Sequence, residues 1–290
     1  MAGTIFHYAR LRMGELDFDA YAERIGYRGT HTPTSDALDA IVLAHAMRIP
    51  FENLDIHLGN SIELEPATVF DKLVVRRRGG YCFEQNGLLL EMLRTVGFSV
   101  RPLAARVMYG LRPGVTSDRP RSHMLLLVDV GPRTFLADVG FGTHNLLAPL
   151  PFEPGIERSL HGETFRIREI PWNGRALGAP PSFDVETKTT AEDGTESFTP
   201  LYRASLEEQR PSDFAMASWF CSTHPDSLFV RRKLVSRPEV GARHVLVDRE
   251  LEVRRGGRSE TRTLPDDAAY RTALREVFHI DLGPDDLLRW

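Results

Sequence analysis

RRRGGYCFEQNG, Arg76 to Gly87, decides how the rest of the chain is read. It sets one of only two cysteines directly after three arginines and a Gly-Gly pair, where an apolar helical pattern begins. In YCFEQNGLLLEMLRTVGF, Cys82, Asn86, Leu89 and Leu93 recur at helical spacing, and Gly97 offers a stop. The spacing predicts a helix with Cys82 in its first turn. Unpaired amides at a helix start favour a sulfur anion; Arg76, Arg77 and Arg78 would add positive charge, and Gly79 and Gly80 would let a bulky substrate approach. The competing reading is small core filling on an apolar helix. The choice depends on whether the rest of the chain supplies a base.

At about 100 to 200 residues per domain, the chain of 290 residues forms one large or two to three smaller units. Hydrophobic residues make up 42%, charged residues 26%, and the formal net charge is -4. These values argue against a disordered chain and a basic nucleic-acid binder, and leave small molecules as the expected partners. The opening MAGTIFHYARLRM lacks the apolar core of a signal peptide, and runs such as MLLLVDV are too short to cross a bilayer. The expectation is a cytoplasmic protein in which Cys82 and Cys221 stay free thiols.

The texture changes along the chain. TSDALDAIVLAHAMRI carries helical spacing through Leu38, Ile41, Val42, His45 and Ala46, with Ser35 or Asp36 as cap. From Val100 to about Thr199 come short β-branched and apolar runs, RPLAARVMY, SHMLLLVDV, RTFLADVGF, ETFRIREI and SFDVETKTT, which read as antiparallel strands between Gly and Pro turns. The remainder mixes a helix (PSDFAMASWFCST), strands (VRRKLVSR, RHVLVDRELEVRRG) and a last helix (DDAAYRTALREVFHI). No internal repeat or low-complexity tract is present.

A nucleophilic cysteine needs a base and a group that orients the base. Of 10 histidines, His7 and His31 lie among loop residues, His45 sits on a helix face and His224 precedes a proline. His123 instead opens the run HMLLLVDV, and the next run, TFLADVGFG, ends near Asp138. If the two runs pair through GPR, His123 and Asp138 share the open end of one hairpin. A strand-starting His and a strand-ending Asp are also common as satisfied surface residues. GFGTHN lacks the third glycine of a dinucleotide fingerprint, and no paired CxxC, HExxH or calcium-loop pattern occurs, so no metal is expected.

PFENLDIHLG (Pro50 to Gly59), RGGYCFEQN (Arg78 to Asn86), HMLLLV (His123 to Val128), ADVGFG (Ala137 to Gly142) and STHPDSLF (Ser222 to Phe229) give a chain that resembles the arylamine N-acetyltransferase family. The resemblance implies an α+β fold: an N-terminal helical bundle (1–97) carrying the nucleophile, a central β-barrel (98–200) carrying His and Asp, and a C-terminal α/β lid domain (201–290) around a cysteine-protease-like core. It implies Cys82 as acyl-accepting nucleophile, His123 as base and Asp138 as orienting carboxylate. Phe51, Val107, Phe141 and Phe229 fall where the family lines the acyl and aryl site, with the Val107 backbone as oxyanion donor. Ser122 and Thr223 are candidates for coenzyme A contacts, and RPGVTSDRP with Arg119 and Arg121 for its phosphates. Glu52 and Arg78 are expected to form a bidentate structural pair.

The implied reaction is acetyl transfer from acetyl-CoA to an arylamine or hydrazine nitrogen by a ping-pong route through acyl-Cys82. An amide synthase of the same lineage uses the same three residues on a polyketide. Transglutaminase-like and papain-like hydrolases share the Cys, His, Asp order, and PFENLDIHLG and RGGYCFEQN argue against them. A binding module with a vestigial site is the non-enzymatic alternative.

Overall fold

The computed structural model describes residues 16–111, 118–170, 181–191 and 193–288. Asp17 accepts the amides of Asp19 and Ala20 to start helix α1 (Phe18–Ile25). Helix α2 (Ser35–Arg48) starts from Thr34, whose hydroxyl accepts the Ala37 amide, so the cap lies one residue ahead of Ser35. After a two-residue strand β1 (Phe51–Glu52) come α3 (Leu54–Leu58), α4 (Pro66–Phe70), a widened turn over Asp71–Val75, and α5 (Cys82–Val96). Gly97 ends α5 at φ 101°, as its place in the sequence predicts.

Eight strands then form one antiparallel sheet that curls into a nearly closed barrel: β2 (Ser99–Val107), β3 (His123–Val130), β4 (Arg133–Ala137), β5 (Leu150–Pro151), β6 (Glu157–Leu160), β7 (Glu163–Ile170), β8 (Ser182–Thr190) and β9 (Glu196–Glu208). Their order is β5-β4-β3-β2-β9-β8-β7-β6. Two-residue alternation decides which core each side chain joins. Met124, Leu126 and Val128 of β3 pack with the helices, whereas Leu125 and Leu127 face Phe165, Ile167 and Val185 inside the barrel. A strand buried on both faces reads as a continuous apolar run, which is why HMLLLV shows no alternation.

The rest comprises α6 (Pro211–Thr223), α7 (Leu228–Arg231), strands β10 (Leu234–Glu239), β11 (Ala242–Val247), β12 (Glu250–Arg255) and β13 (Arg258–Thr263), and α8 (Asp267–Glu276). The second sheet runs β1-β10-β11-β12-β13, so a strand from the first hundred residues edges a sheet made otherwise from the last sixty or so. Three differences from the sequence reading stand out. The run RHVLVDRELEVRRG is a hairpin, turned at Asp248 with φ 50°. The β13 strand is wholly exposed and polar, so it has no hydrophobic signal. Position 200, expected as a boundary, falls inside β9. Among the described residues no helix is long and apolar enough to cross a membrane.

His45 does not face solvent on α2. It is fully buried, accepts from the Tyr21 hydroxyl at Nδ1 (2.8 Å) and donates through Nε2 to Gln85 Oε1 (2.7 Å). Gln85 in turn donates to the carbonyls of Ile49, Pro50 and Gly80, tying α5 to α2 and to the loop ahead of it. Burial lowers the His45 pKa from 6.5 to about 4. Because the folded value lies below the unfolded one, this group's stability contribution is complete above 6.5 and declines as pH falls toward about 4. Urea unfolding is expected to show stability dropping by about 2 kcal/mol more in the native protein than in His45→Gln between pH ~6.5 and ~5. Equal pH dependence in the two proteins would contradict this account of His45.

Candidate active site

Cys82 is the first residue of α5 and is 2% exposed. Its Sγ lies 3.6 Å from the Ser122 carbonyl, immediately before His123 at the start of β3. The β3–β4 hairpin pairs Leu126 with Ala137, which leaves His123 and Asp138 together at its open end. His123 Nε2 is 2.7 Å from Asp138 Oδ2. The three residues singled out from the sequence are thus brought to one place by a helix start and a hairpin end.

Asp138 is fully buried, and burial alone would raise its pKa. His123, the Asn86 amide and the Gly140 N–H outweigh that penalty and hold the carboxyl below its usual range. Asn86 Nδ2 and the Gly140 N–H both meet Oδ1 at 2.9 Å. As Asp138 is then an acceptor only, His123 Nε2 carries the proton and Nδ1 is the basic nitrogen. Asn86 has two further bonds: it donates to the Met124 carbonyl (2.7 Å) and accepts the Val139 amide (3.0 Å). One side chain on α5 therefore fastens both strands that carry His123 and Asp138. The Tyr202 ring lies 4.8 Å from His123, tilted by 44°.

The surroundings of the sulfur differ from expectation. Burial pushes the lone Cys82 thiol well up, with Cys221 and Asp138 adding to this, while the amides of Met124 and Phe83 pull the other way. Two of the three arginines are committed elsewhere. Arg76 pairs with Asp71, the Arg77 backbone is left-handed at φ 55°, and Arg78 reaches Glu52 and Asp55. Nor do the paired glycines open a path for substrate. A Cβ at Gly79 would stand 2.3 Å from the Pro50 carbonyl, so the residue is small because two backbone segments touch. The glycine that does border Cys82 is Gly140, where a Cβ would meet Cys82 Cα at 2.7 Å.

Arg78 and Glu52 do meet, but not fork to fork: Nε and Nη2 both reach Oε1, at 3.1 and 2.8 Å. The other oxygen accepts the Leu54 amide at 2.7 Å and caps α3. Cys221, on α6, is buried and its thiol is pushed up to about 12 by desolvation.

Aromatic rings stand on two sides. Phe51 and Phe229 lie 5.9 Å apart on the helical side, with Tyr81 5.6 Å from Phe229. Phe141 lies edge-on to His123 at 5.1 Å. Val107 ends β2 directly opposite Tyr202, and its carbonyl accepts from Arg119. Thr223 is exposed at the end of α6 with its hydroxyl bonded to the Trp219 carbonyl. Arg121 is paired with Glu207. Residues 112–117 of RPGVTSDRP, and His7, lie outside the described residues. Among the described residues no cluster of three or more His, Cys, Asp or Glu could hold a metal ion.

Asn86 and Tyr202 escaped the sequence reading as site residues. Asn86 carried a signal, standing four positions after Cys82 and so one turn along the same helix face. Tyr202 carried none, since only the barrel brings it to His123.

A mixed α/β chain with a nearly closed barrel and this site agrees with the sequence profile of the N-acetyltransferase family, which matches residues 34–287. The arylamine N-acetyltransferase of Mycobacterium tuberculosis is 38% identical over 271 residues, covering 92% of this chain and 90% of the relative. A Salmonella typhimurium protein named arylamine N-acetyltransferase / N-hydroxyarylamine O-acetyltransferase is 33% identical over 271 residues, covering 92% and 89%. The solved structure of Mycobacterium marinum arylamine N-acetyltransferase in complex with CoA superposes with a TM-score of 0.81 at 34% identity, covering 91% of this chain and 93% of that one. The chain belongs to the arylamine N-acetyltransferase family.

Asn86→Ala should lose about 3 kcal/mol of stability, about 1 kcal/mol for each of its bonds to Met124, Asp138 and Val139. Chemical denaturation measures this. A loss under about 1 kcal/mol would show that α5 and the hairpin are held together elsewhere.

Proposed function

We propose that the chain transfers an acetyl group from acetyl-CoA to the nitrogen of an arylamine or hydrazine, with Cys82, His123 and Asp138 acting as a cysteine-protease-like triad. The observation that carries the reading is the 2.7 Å His123–Asp138 bond beside the buried Cys82 sulfur. The family relatives, including one solved with CoA, support the donor and the acceptor class.

A buried thiol with a raised pKa forms its anion by passing the proton to His123 Nδ1, so the resulting charge is an ion pair rather than a free thiolate. Asp138 stabilises the imidazolium through Nε2. The sulfur attacks the thioester carbonyl of acetyl-CoA, and the C–S bond to CoA breaks. His123 returns the proton to the departing CoA sulfur. One thioester replaces another, so the acetyl group remains activated. The amine nitrogen, largely neutral at pH 7, then attacks the acetyl-Cys82 carbonyl. His123 removes the nitrogen proton and delivers it to the leaving Cys82 sulfur, which restores the thiol as the amide departs. The Phe83 amide, near the sulfur, and the Val107 amide are the candidate donors to the oxyanion of each intermediate.

Phe51, Phe229 and Phe141 supply the apolar walls that accept a flat ring and disfavour water, which would otherwise hydrolyse the thioester. Ser122 and Thr223, with Arg119 and Arg121, remain the candidates toward CoA. No metal takes part in this reading.

Initial rates with acetyl-CoA and aniline both varied are expected to give parallel reciprocal plots, since CoA leaves before the amine is consumed. Intersecting plots would rule out the acyl-Cys82 route. Asp138→Asn should remain folded and lose about three to four powers of ten in transfer, because an amide does not stabilise the His123 cation. Near-native turnover in the folded variant would remove Asp138 from the triad.

A further inference from the structure

The first turn of α5 rests on a buried charge network of Glu52, Asp55, Lys72, Arg78 and Glu84, each 8% exposed or less. Lys72 Nζ lies 2.6 Å from Asp55 Oδ2 and 2.7 Å from Glu84 Oε1. Glu84 Oε2 accepts the Tyr81 amide at 3.0 Å. Glu84 is therefore a buried carboxylate at the third position of the helix whose first residue is Cys82, facing the same amide-rich end on which a sulfur anion would rely. Three carboxylates share two cations here, and Arg78 is committed to Glu52 and Asp55. Lys72 is the cation in contact with Glu84.

We propose that Lys72 is a positioning residue for the transfer reaction, which by neutralising Glu84 at the start of α5 keeps that helix end available to the Cys82 sulfur. The inference rests on Cys82 being the nucleophile. Burial alone would lower the Lys72 pKa, but Glu84, Glu52 and Asp55 outweigh it and hold it above the ordinary lysine range, so the lysine is charged. Burial raises the Glu84 pKa and Lys72 pulls it back. The other groups facing the pair are Glu52 from β1, Asp55 from α3, Arg78 and Tyr81 from the loop ahead of α5, and Glu63 and Arg76 at the rim of a cleft of about 230 Å³ that leads to it. Facing Cys82 are Asp138, Cys221 from α6, Tyr81 and, beside Ser122, His123. Lys72 has no contact with substrate in this account and acts only through Glu84.

The test is the pH dependence of iodoacetamide alkylation at Cys82, read by mass on the Cys82 peptide in the full-length protein. Lys72→Met should raise the alkylation midpoint by about one pH unit, as an added uncompensated charge nearby would. Lys72→Arg should leave it near the native value, and Lys72→Met/Glu84→Gln should restore it. The same variants should divide in acetylation assays, with kcat reduced about tenfold in Lys72→Met and KM for acetyl-CoA held, a midpoint shift of one unit being worth a factor of ten. Should Lys72→Met fail to fold, Glu84→Gln alone keeps an acceptor for the Tyr81 amide and should lower the midpoint. An unmoved midpoint in a folded Lys72→Met or in Glu84→Gln would overturn the inference, as would a shift that persists in the double variant. If native Cys82 takes no acetyl group from acetyl-CoA, the nucleophile reading fails and this inference with it. An acetylated native Cys82 with unmoved midpoints defeats this inference alone.

Discussion

The architecture depends on how closely the first turns of α5 can approach the turn that follows β4. A Cβ at Gly140 would stand 2.7 Å from both Cys82 Cα and Asn86 Nδ2, so only glycine admits the contact. With that approach made, Asn86 reaches Met124, Asp138 and Val139 at once. A helix from the first hundred residues and a hairpin from the barrel are thereby locked beside the Cys82 sulfur and the His123–Asp138 pair. Withdrawing the helix by the width of a methyl group would leave Asp138 with fewer donors and a buried, poorly paired charge.

Around this contact the protein keeps charges apart by purpose. Arg76 and Arg78, close to Cys82 in sequence, are turned away into pairs with Asp71, Glu52 and Asp55. What remains near the sulfur is desolvation, two amides and the His123–Asp138 couple. A pair of opposite charges in a dry site attract far more strongly than across water, so in the proposed mechanism the proton on His123 and the anion on sulfur are created together where neither would form alone. The arginines instead build the loop: Arg78 holds Glu52, whose second oxygen caps α3, and Arg24 donates to the carbonyls of Leu73, Arg48 and Arg77.

Much of this was legible in the sequence. The short β-branched and apolar runs and the turn chemistry of the middle section point to strands where β2, β3, β4, β7 and β8 lie, and the hairpin through Gly131 was readable because Gly-Pro ends one apolar run and starts another. Cys82, His123 and Asp138 could be singled out because a helix-starting cysteine calls for a base and an orienting group, and the ends of two adjacent apolar runs offered them. Other features depend on distant partners and left no local mark. The strand β1 is too short to have a period, and it exists because Phe51 and Glu52 pair with Ser236 and Val235. The arginines looked like a thiolate-stabilising cluster because sequence proximity says nothing about where long side chains end. Lys72 and Glu84 lie twelve positions apart, with nothing to announce that they touch.

The central claim is that the buried Cys82 sulfur accepts an acyl group before any amine is bound. Intact-mass measurement of the protein after incubation with acetyl-CoA alone addresses this most directly. The account predicts one added acetyl group, located to the Cys82 peptide and discharged when aniline is then supplied. An unmodified protein that nevertheless acetylates aniline when both substrates are present would contradict it.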